Sequence, residues 1–242
     1  CLSGWCGQTE KPIVLLIDEV DTASDHQVFL DFLAQLRAAY LDRDEMPAFQ
    51  SVILAGLYDI KNLKLRIRPD SERKYNSPWN IAAKLPVDLS FSKGQIAAML
   101  EEYESDRQTG MDVQSVADEI RQYTAGYPYL VCAVCKYLDE EIPGRAAIAE
   151  TETVWSGQGI AEAVKLLLNE RVPLFESMVK QLDLYPKLRS LIRQVLYQGI
   201  KIPYSPAEES VNLGRMFGFL RDENGWVVIA NRMFEMYLLH LF

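Results

Sequence analysis

Hydrophobic positions change period along this chain. Ile13-Val14-Leu15-Leu16-Ile17 is an unbroken apolar run between a Lys-Pro entry and an acidic exit, the pattern of a strand buried on both faces in a parallel α/β sheet. Val28, Phe29, Phe32, Leu33, Leu36 and Tyr40 then recur at helical spacing and predict one amphipathic helix. A second apolar run from Ser51 to Leu57 completes a strand, helix, strand order, which is a βαβ unit with a right-handed crossover. A weaker third strand is expected over Ala83 to Leu89.

Downstream the period is helical. Ser92-Lys93-Gly94-Gln95 has the Ser-x-x-Gln form of a capping box and opens a helix burying Ile96, Met99, Leu100 and Tyr103. Val113, Val116, Ile120 and Tyr123 mark the next helix, which stops at Gly126, a residue free to turn left-handed. Pro128 suits the first turn of a further helix reaching about Glu141. Long helical patterns follow over about 159–184 and 186–198, with Pro173 and Pro186 as kinks or boundaries. A helix near 207–219 then gives way to Leu220 through Ile229, where Asn224-Gly225 between extended runs predicts a hairpin. Helices closed by a hairpin suggest a winged-helix module over 186–242.

Length and composition narrow the class. The 242 residues are 49% hydrophobic and 24% charged, which excludes disordered, collagenous and disulfide-stapled classes. Apolar runs such as Ile13–Ile17 are far shorter than the ~20 residues that span a bilayer, so a soluble, non-membrane chain is expected. Four cysteines are too few for a disulfide framework and point to a reducing, cytoplasmic setting. The opening residues Cys1 to Lys11 have neither an initiator Met nor a signal peptide, so the chain reads as a fragment. A net charge of −9 disfavours nonspecific binding to nucleic acid. The charge is uneven: residues 1–170 hold 16 Lys/Arg against 27 Asp/Glu, whereas 171–242 hold 9 against 7.

The sharpest chemical feature is Ile17-Asp18-Glu19-Val20-Asp21, where the first strand ends in adjacent carboxylates. Ligands of open parallel sheets bind at the carboxyl ends of strands. An apolar run ending in Asp-Glu is the pattern of a Walker B segment, with the first carboxylate holding Mg²⁺ and the second polarising the attacking water. Asp18 fits the metal role and Glu19 the catalytic one. The same pair also suits a strand whose acidic exit only solvates its end and caps the following helix.

Two further runs set this junction in context. Ser51 to Gly56 lies where a sensor strand should follow Walker B, and Gly126-Tyr127-Pro128 sits between two helices downstream. In this order the chain resembles AAA-like ATPases of the STAND type. Ala55-Gly56-Leu57-Tyr58-Asp59-Ile60-Lys61-Asn62 and Ala230-Asn231-Arg232-Met233-Phe234-Glu235 are similar to runs in bacterial AAA-like proteins that precede a nuclease-like domain. The resemblance implies a partial P-loop core over 1–91, a helical lid over 92–185 and a winged helix over 186–242. It further implies ATP and Mg²⁺ as cofactors, with Gly126, Tyr127 and Pro128 lining the base or ribose side of the pocket. Its functional expectation is a regulatory switch that passes nucleotide state to a protein partner or a downstream effector domain.

Two departures from that family stand out. No Gly-x-x-x-x-Gly-Lys-Ser/Thr loop occurs in these 242 residues, so the chain is expected to begin after it and to be inactive as it stands. The sensor strand reads Gly56-Leu57-Tyr58-Asp59, without the polar or Arg ending usual there. A basic island, Lys61, Lys64, Arg66, Arg68, Arg73 and Lys74, is best read as a solvated loop. Cys132 and Cys135 form a Cys-x-x-Cys without a second ligand pair, which favours small core residues over zinc or redox chemistry. His26 and His240 are the only histidines, too few for a catalytic triad. The expected class is therefore α/β: the remnant of a parallel P-loop NTPase sheet, then a helical lid, then a winged helix. The alternatives are a noncatalytic protein-interaction module and a winged-helix DNA-binding regulator, although the acidic wing at Asp222 and Glu223 gives the latter little support.

Overall fold

The computed structural model describes residues 2–20, 27–56, 88–143 and 154–242. The chain divides into two compact units, Cys1–Pro86 and Val87–Phe242. In the first, a short helix α1 (Leu2–Cys6) leads to β1 (Val14–Ile17), helix α2 (Gln27–Leu41) and β2 (Ser51–Leu54). β1 and β2 pair in parallel, with Val14 opposite Ser51 and Ile17 opposite Leu54. The ladder extends past both strand ends through Gln50 N–H to Ile13 O (2.8 Å) and Ala55 N–H to Ile17 O (2.9 Å). The expected strand, helix, strand order is therefore present.

Packing in this unit departs from the expectation of a strand buried on both faces. Leu33 and Leu36 of α2 and Phe49 form its buried cluster, against which Ile13, Leu15, Ile17, Val52 and Leu54 pack. Val14 and Leu16 point the other way and are 43% and 70% exposed, as is Ile53 at 42%. The physical reason is the alternation of side chains across a strand: with one helical layer packed on the sheet, only every second residue is covered among the described residues. The third strand expected over Ala83 to Leu89 falls mostly on residues 57–87, outside the described residues, and positions 88–89 are not in a strand.

The second unit is helical until its end. Helix α3 (Lys93–Arg107) starts at Ser92, where both bonds of the capping box form. It is followed by α4 (Val113–Thr124), α5 (Pro128–Glu140), α6 (Gly157–Asn169), α7 (Pro173–Leu184) and α8 (Pro186–Tyr197). Pro128, Pro173 and Pro186 each occupy a first helical turn, where a missing N–H costs nothing, so Pro173 separates α6 from α7 rather than kinking one long helix. α9 (Glu209–Met216) precedes the antiparallel hairpin β3 (Leu220–Glu223) and β4 (Trp226–Ile229), and α10 (Arg232–Leu241) closes the chain. The Asn224-Gly225 turn has positive φ at both residues, 53° and 84°, the twist a two-residue hairpin loop requires. A third extended segment joins β4 through Val227 N–H to Ile202 O (2.9 Å) and an isolated bridge between Pro203 and Trp226.

One apolar cluster runs without interruption from Ile96 to Leu238, drawing on every helix from α3 to α10 and on the hairpin. The 185/186 position thus lies within a continuous core. Phe234, 1% exposed, is one of its largest members and meets Phe175 and Phe219 edge-on at centroid distances of 6.3 and 6.4 Å. Truncating such a ring costs about 3–5 kcal/mol. No helix among the described residues is long and apolar enough to cross a membrane.

Candidate functional site

The carboxylate pair sits where the sheet releases the chain. Ile17 ends β1, and Val20, 3% exposed, is pinned back by donating its N–H to Ala55 O at 3.1 Å. Asp18 and Glu19 occupy the short exposed turn between these two anchors, beside the continuation of β2 at Ala55 and Gly56. Asp18 Oδ1 accepts the Glu19 N–H at 2.8 Å, which leaves Oδ2 without a hydrogen bond among the described residues. Glu19 has φ of 53°, a left-handed conformation that costs a non-glycine residue about 1–2 kcal/mol. Asn or Gly would relieve that cost, so a glutamate there holds local strain of the kind found at functional turns. Asp21, His26, the run Leu57 to Asn62 and the basic island through Lys74 lie outside the described residues.

The second motif forms a different structure. At the end of α4, Ala125 and Gly126 both turn left-handed, with φ of 51° and 77°. Thr124, fully buried, donates its hydroxyl to Ile120 O (2.7 Å) and accepts the Gly126 N–H (3.1 Å). Gly126 is buried and its carbonyl accepts the Phe91 N–H at 2.8 Å. A Cβ at 126 would lie 2.1 Å from Phe91 O, so the backbone passes too close for any side chain. Tyr127 stands at the N-cap of α5 and Pro128 at its first turn.

The Tyr127 ring packs edge-on against Phe234 at 5.8 Å. This contact joins two runs that the sequence displays separately, Gly126-Tyr127-Pro128 and Ala230 through Glu235. Asn231 N-caps α10 by accepting the Phe234 N–H at 2.8 Å, which fixes the ring that Tyr127 meets. Sequence reasoning missed Thr124 and Phe91 as partners of this turn. A threonine two residues before a glycine that ends a helix was the available signal, since its hydroxyl can bond both the preceding carbonyl and the freed N–H. Asp18 and Glu19 belong to the first unit, and Gly126, Tyr127 and Pro128 to the second.

Among the described residues no group of three or more His, Cys, Asp or Glu side chains gathers as a metal site. Cys132 is exposed, contrary to the expectation of two core thiols, because α5 buries Leu130, Val131, Val134 and Leu138 and turns position 132 outward. Burial pushes the Cys135 thiol up to about 12, whereas an ordinary thiol titrates near 8.5. At neutral pH the thiolate fraction of Cys135, which is half-buried, is therefore far lower, and alkylation should label exposed Cys132 first and Cys135 more slowly. Peptide mapping after a short iodoacetamide pulse checks this order, and early labelling of Cys135 would contradict it. His240 is exposed and bonds the Met236 carbonyl within its own helix.

No family model and no curated protein matches this sequence. Among solved structures, the Walker-type ATPase PABY2304 of Pyrococcus abyssi superposes with a TM-score of 0.59 at 14% identity. The match covers 98% of this chain and 66% of that one. The likeness is one of fold: the chain is folded like that Walker-type ATPase, at an identity too low to carry anything but architecture.

Proposed function

We propose that this chain is the Walker B-bearing part of a nucleotide-binding ATPase module of the AAA-like, STAND type, acting as a regulatory switch. The observation that carries the proposal is the Asp18–Glu19 pair, presented on an exposed, strained turn at the carboxyl end of a parallel strand. The superposition on a Walker-type ATPase supports the same reading at the level of fold.

Asp18 suits Mg²⁺ as one hard oxygen ligand, because its Oδ2 has no other partner among the described residues and Mg²⁺ takes one or two carboxylates beside phosphate oxygens. When bound, the ion neutralises charge on the terminal phosphates. Glu19 would accept a hydrogen bond from the attacking water and hold it in line. Residues 92–185 would serve as the lid, with Gly126, Tyr127 and Pro128 toward the base or ribose. Residues 186–242 would serve as a winged helix, the role that α8, the segment at Pro203, α9, the hairpin and α10 suit in their order. The Tyr127–Phe234 contact supports a switch, since any displacement of the lid turn is felt directly by α10.

Calorimetric titration of Mg·ATP tests the site. The 242-residue chain, which contains no Gly-Lys-Ser/Thr loop, is expected to show no saturable binding in the micromolar range. The full-length protein, where its gene encodes such a loop, is expected to bind in that range. Micromolar affinity in the 242-residue chain would mean that other residues hold the phosphates, and the site assignment would fail.

A further inference from the structure

The exposed face of α8 carries a feature that the ATPase reading does not use. Arg189, Ser190, Arg193, Gln194 and Tyr197 line one side of a depression of about 530 Å³, and Phe242 lines the other. None of the side chains lining it is a carboxylate, in a chain with 34 acidic residues and a net charge of −9. The Phe242 ring lies within cation–π reach of two guanidinium groups, 5.3 Å from that of Arg189 and 5.7 Å from that of Arg193. Tyr197 is held over the end of α10 by donating its hydroxyl to Leu239 O at 3.2 Å.

The cations here differ in what already occupies them. Lys187 pairs with Glu209 at 3.7 Å, and Arg189 pairs with Asp183 at 2.9 Å. Arg193 is exposed and forms no ion pair among the described residues. Stacking on a ring uses the face of a guanidinium and leaves its in-plane N–H groups pointing outward, the geometry that receives a carboxylate bidentately.

We propose that this depression docks an acidic peptide segment, with one carboxylate on Arg193, a second sharing Arg189 with Asp183, and an apolar side chain between them on Phe242 and Tyr197. The two arginines are one helical turn apart, roughly 6 Å, which matches carboxylates at i and i+4 on a partner helix. It also matches i and i+2 on an extended segment, about 6.7 Å apart. Nucleic acid fits less well, because its phosphates form a continuous array that two guanidinium groups do not track, and the chain's overall field repels it. The aromatic floor gives an apolar side chain a place that a phosphate backbone would leave empty.

The test is fluorescence anisotropy with the intact chain and a labelled peptide of about 15 residues, bearing two Glu at i, i+4 with Leu between them. Saturable, salt-sensitive binding is expected, lost when both Glu of the peptide are replaced by Gln. Arg193→Glu should weaken binding about tenfold or more, while Lys187→Glu, outside the depression, should change it less than about twofold. Both positions are exposed, and unchanged circular dichroism and melting confirm that the variants fold. Phe242→Ala should weaken binding as well, and the Leu-free peptide should lose that sensitivity. Absence of saturable binding overturns the proposal, as does an equal loss in Lys187→Glu and Arg193→Glu, which would mean general attraction to charge. Displacement of the peptide by random duplex DNA at lower concentrations than by unlabelled peptide would also overturn it.

Discussion

Alanine at position 126 is expected to destabilise the second unit by about 3 kcal/mol or more, combining a left-handed backbone penalty with a steric one. Gly126 has φ of 77°, and the added methyl would meet Phe91 O at 2.1 Å. The obstacle is backbone, so relief requires the chain before α3 to move. That movement would break the Phe91 N–H to Gly126 O bond and disturb the Thr124 hydroxyl that closes α4. Gly94→Ala is the companion measurement. Position 94 lies inside α3 with nothing within 4 Å of an added Cβ, and alanine there should stabilise by about 0.5–1 kcal/mol. Urea titrations of the two variants should move in opposite directions. If Gly126→Ala melts with the parent protein, the close approach to Phe91 is not a constraint on the fold.

Glu19→Gln is the variant with the largest expected effect on activity. In the full-length protein, where a phosphate-binding loop is encoded, it should lower ATP turnover about 100-fold or more while leaving Mg·ATP binding intact, because the amide keeps the shape and loses the proton acceptor. Asp18→Asn should instead raise the Mg²⁺ concentration needed for turnover. Glu19→Gly separates the residue's two properties. It removes the left-handed strain, yet should lower turnover at least as much as the glutamine variant does. A glycine variant with full turnover would leave Glu19 as an ordinary turn residue and remove it from the proposed chemistry.

The sequence displays the local devices of this fold clearly and its long-range ones poorly. Ser92 with Gln95, the prolines at 128, 173 and 186 and the Asn224-Gly225 turn act within a few residues, so spacing alone reveals them, and each forms as expected. Burial is different. Whether Leu16 is covered depends on how many layers pack on the sheet, and an unbroken apolar run does not encode that number. For the site, Asp18 and Glu19 are visible as carboxylates after an apolar run, but the left-handed φ of Glu19 has no sequence signal because glutamate rarely adopts it. The Tyr127–Phe234 contact spans more than a hundred residues. Only tertiary packing reveals such a pair. The outward position of Cys132 likewise follows from which stripe of α5 the core selects.

The two units also differ in how much holds them. In the first, the buried cluster of described residues is Leu33, Leu36 and Phe49, whereas in the second it extends from Ile96 to Leu238. Among the described residues, a small cluster under a sheet with Val14, Leu16 and Ile53 exposed is expected to open at lower free energy than a continuous helical core. Heating or denaturant is therefore expected to act on two reservoirs of cooperativity rather than one. Amide protons of β1 and β2 are expected to exchange before those of α4 and α5, and if they do, a single unfolding free energy has no defined meaning for the chain.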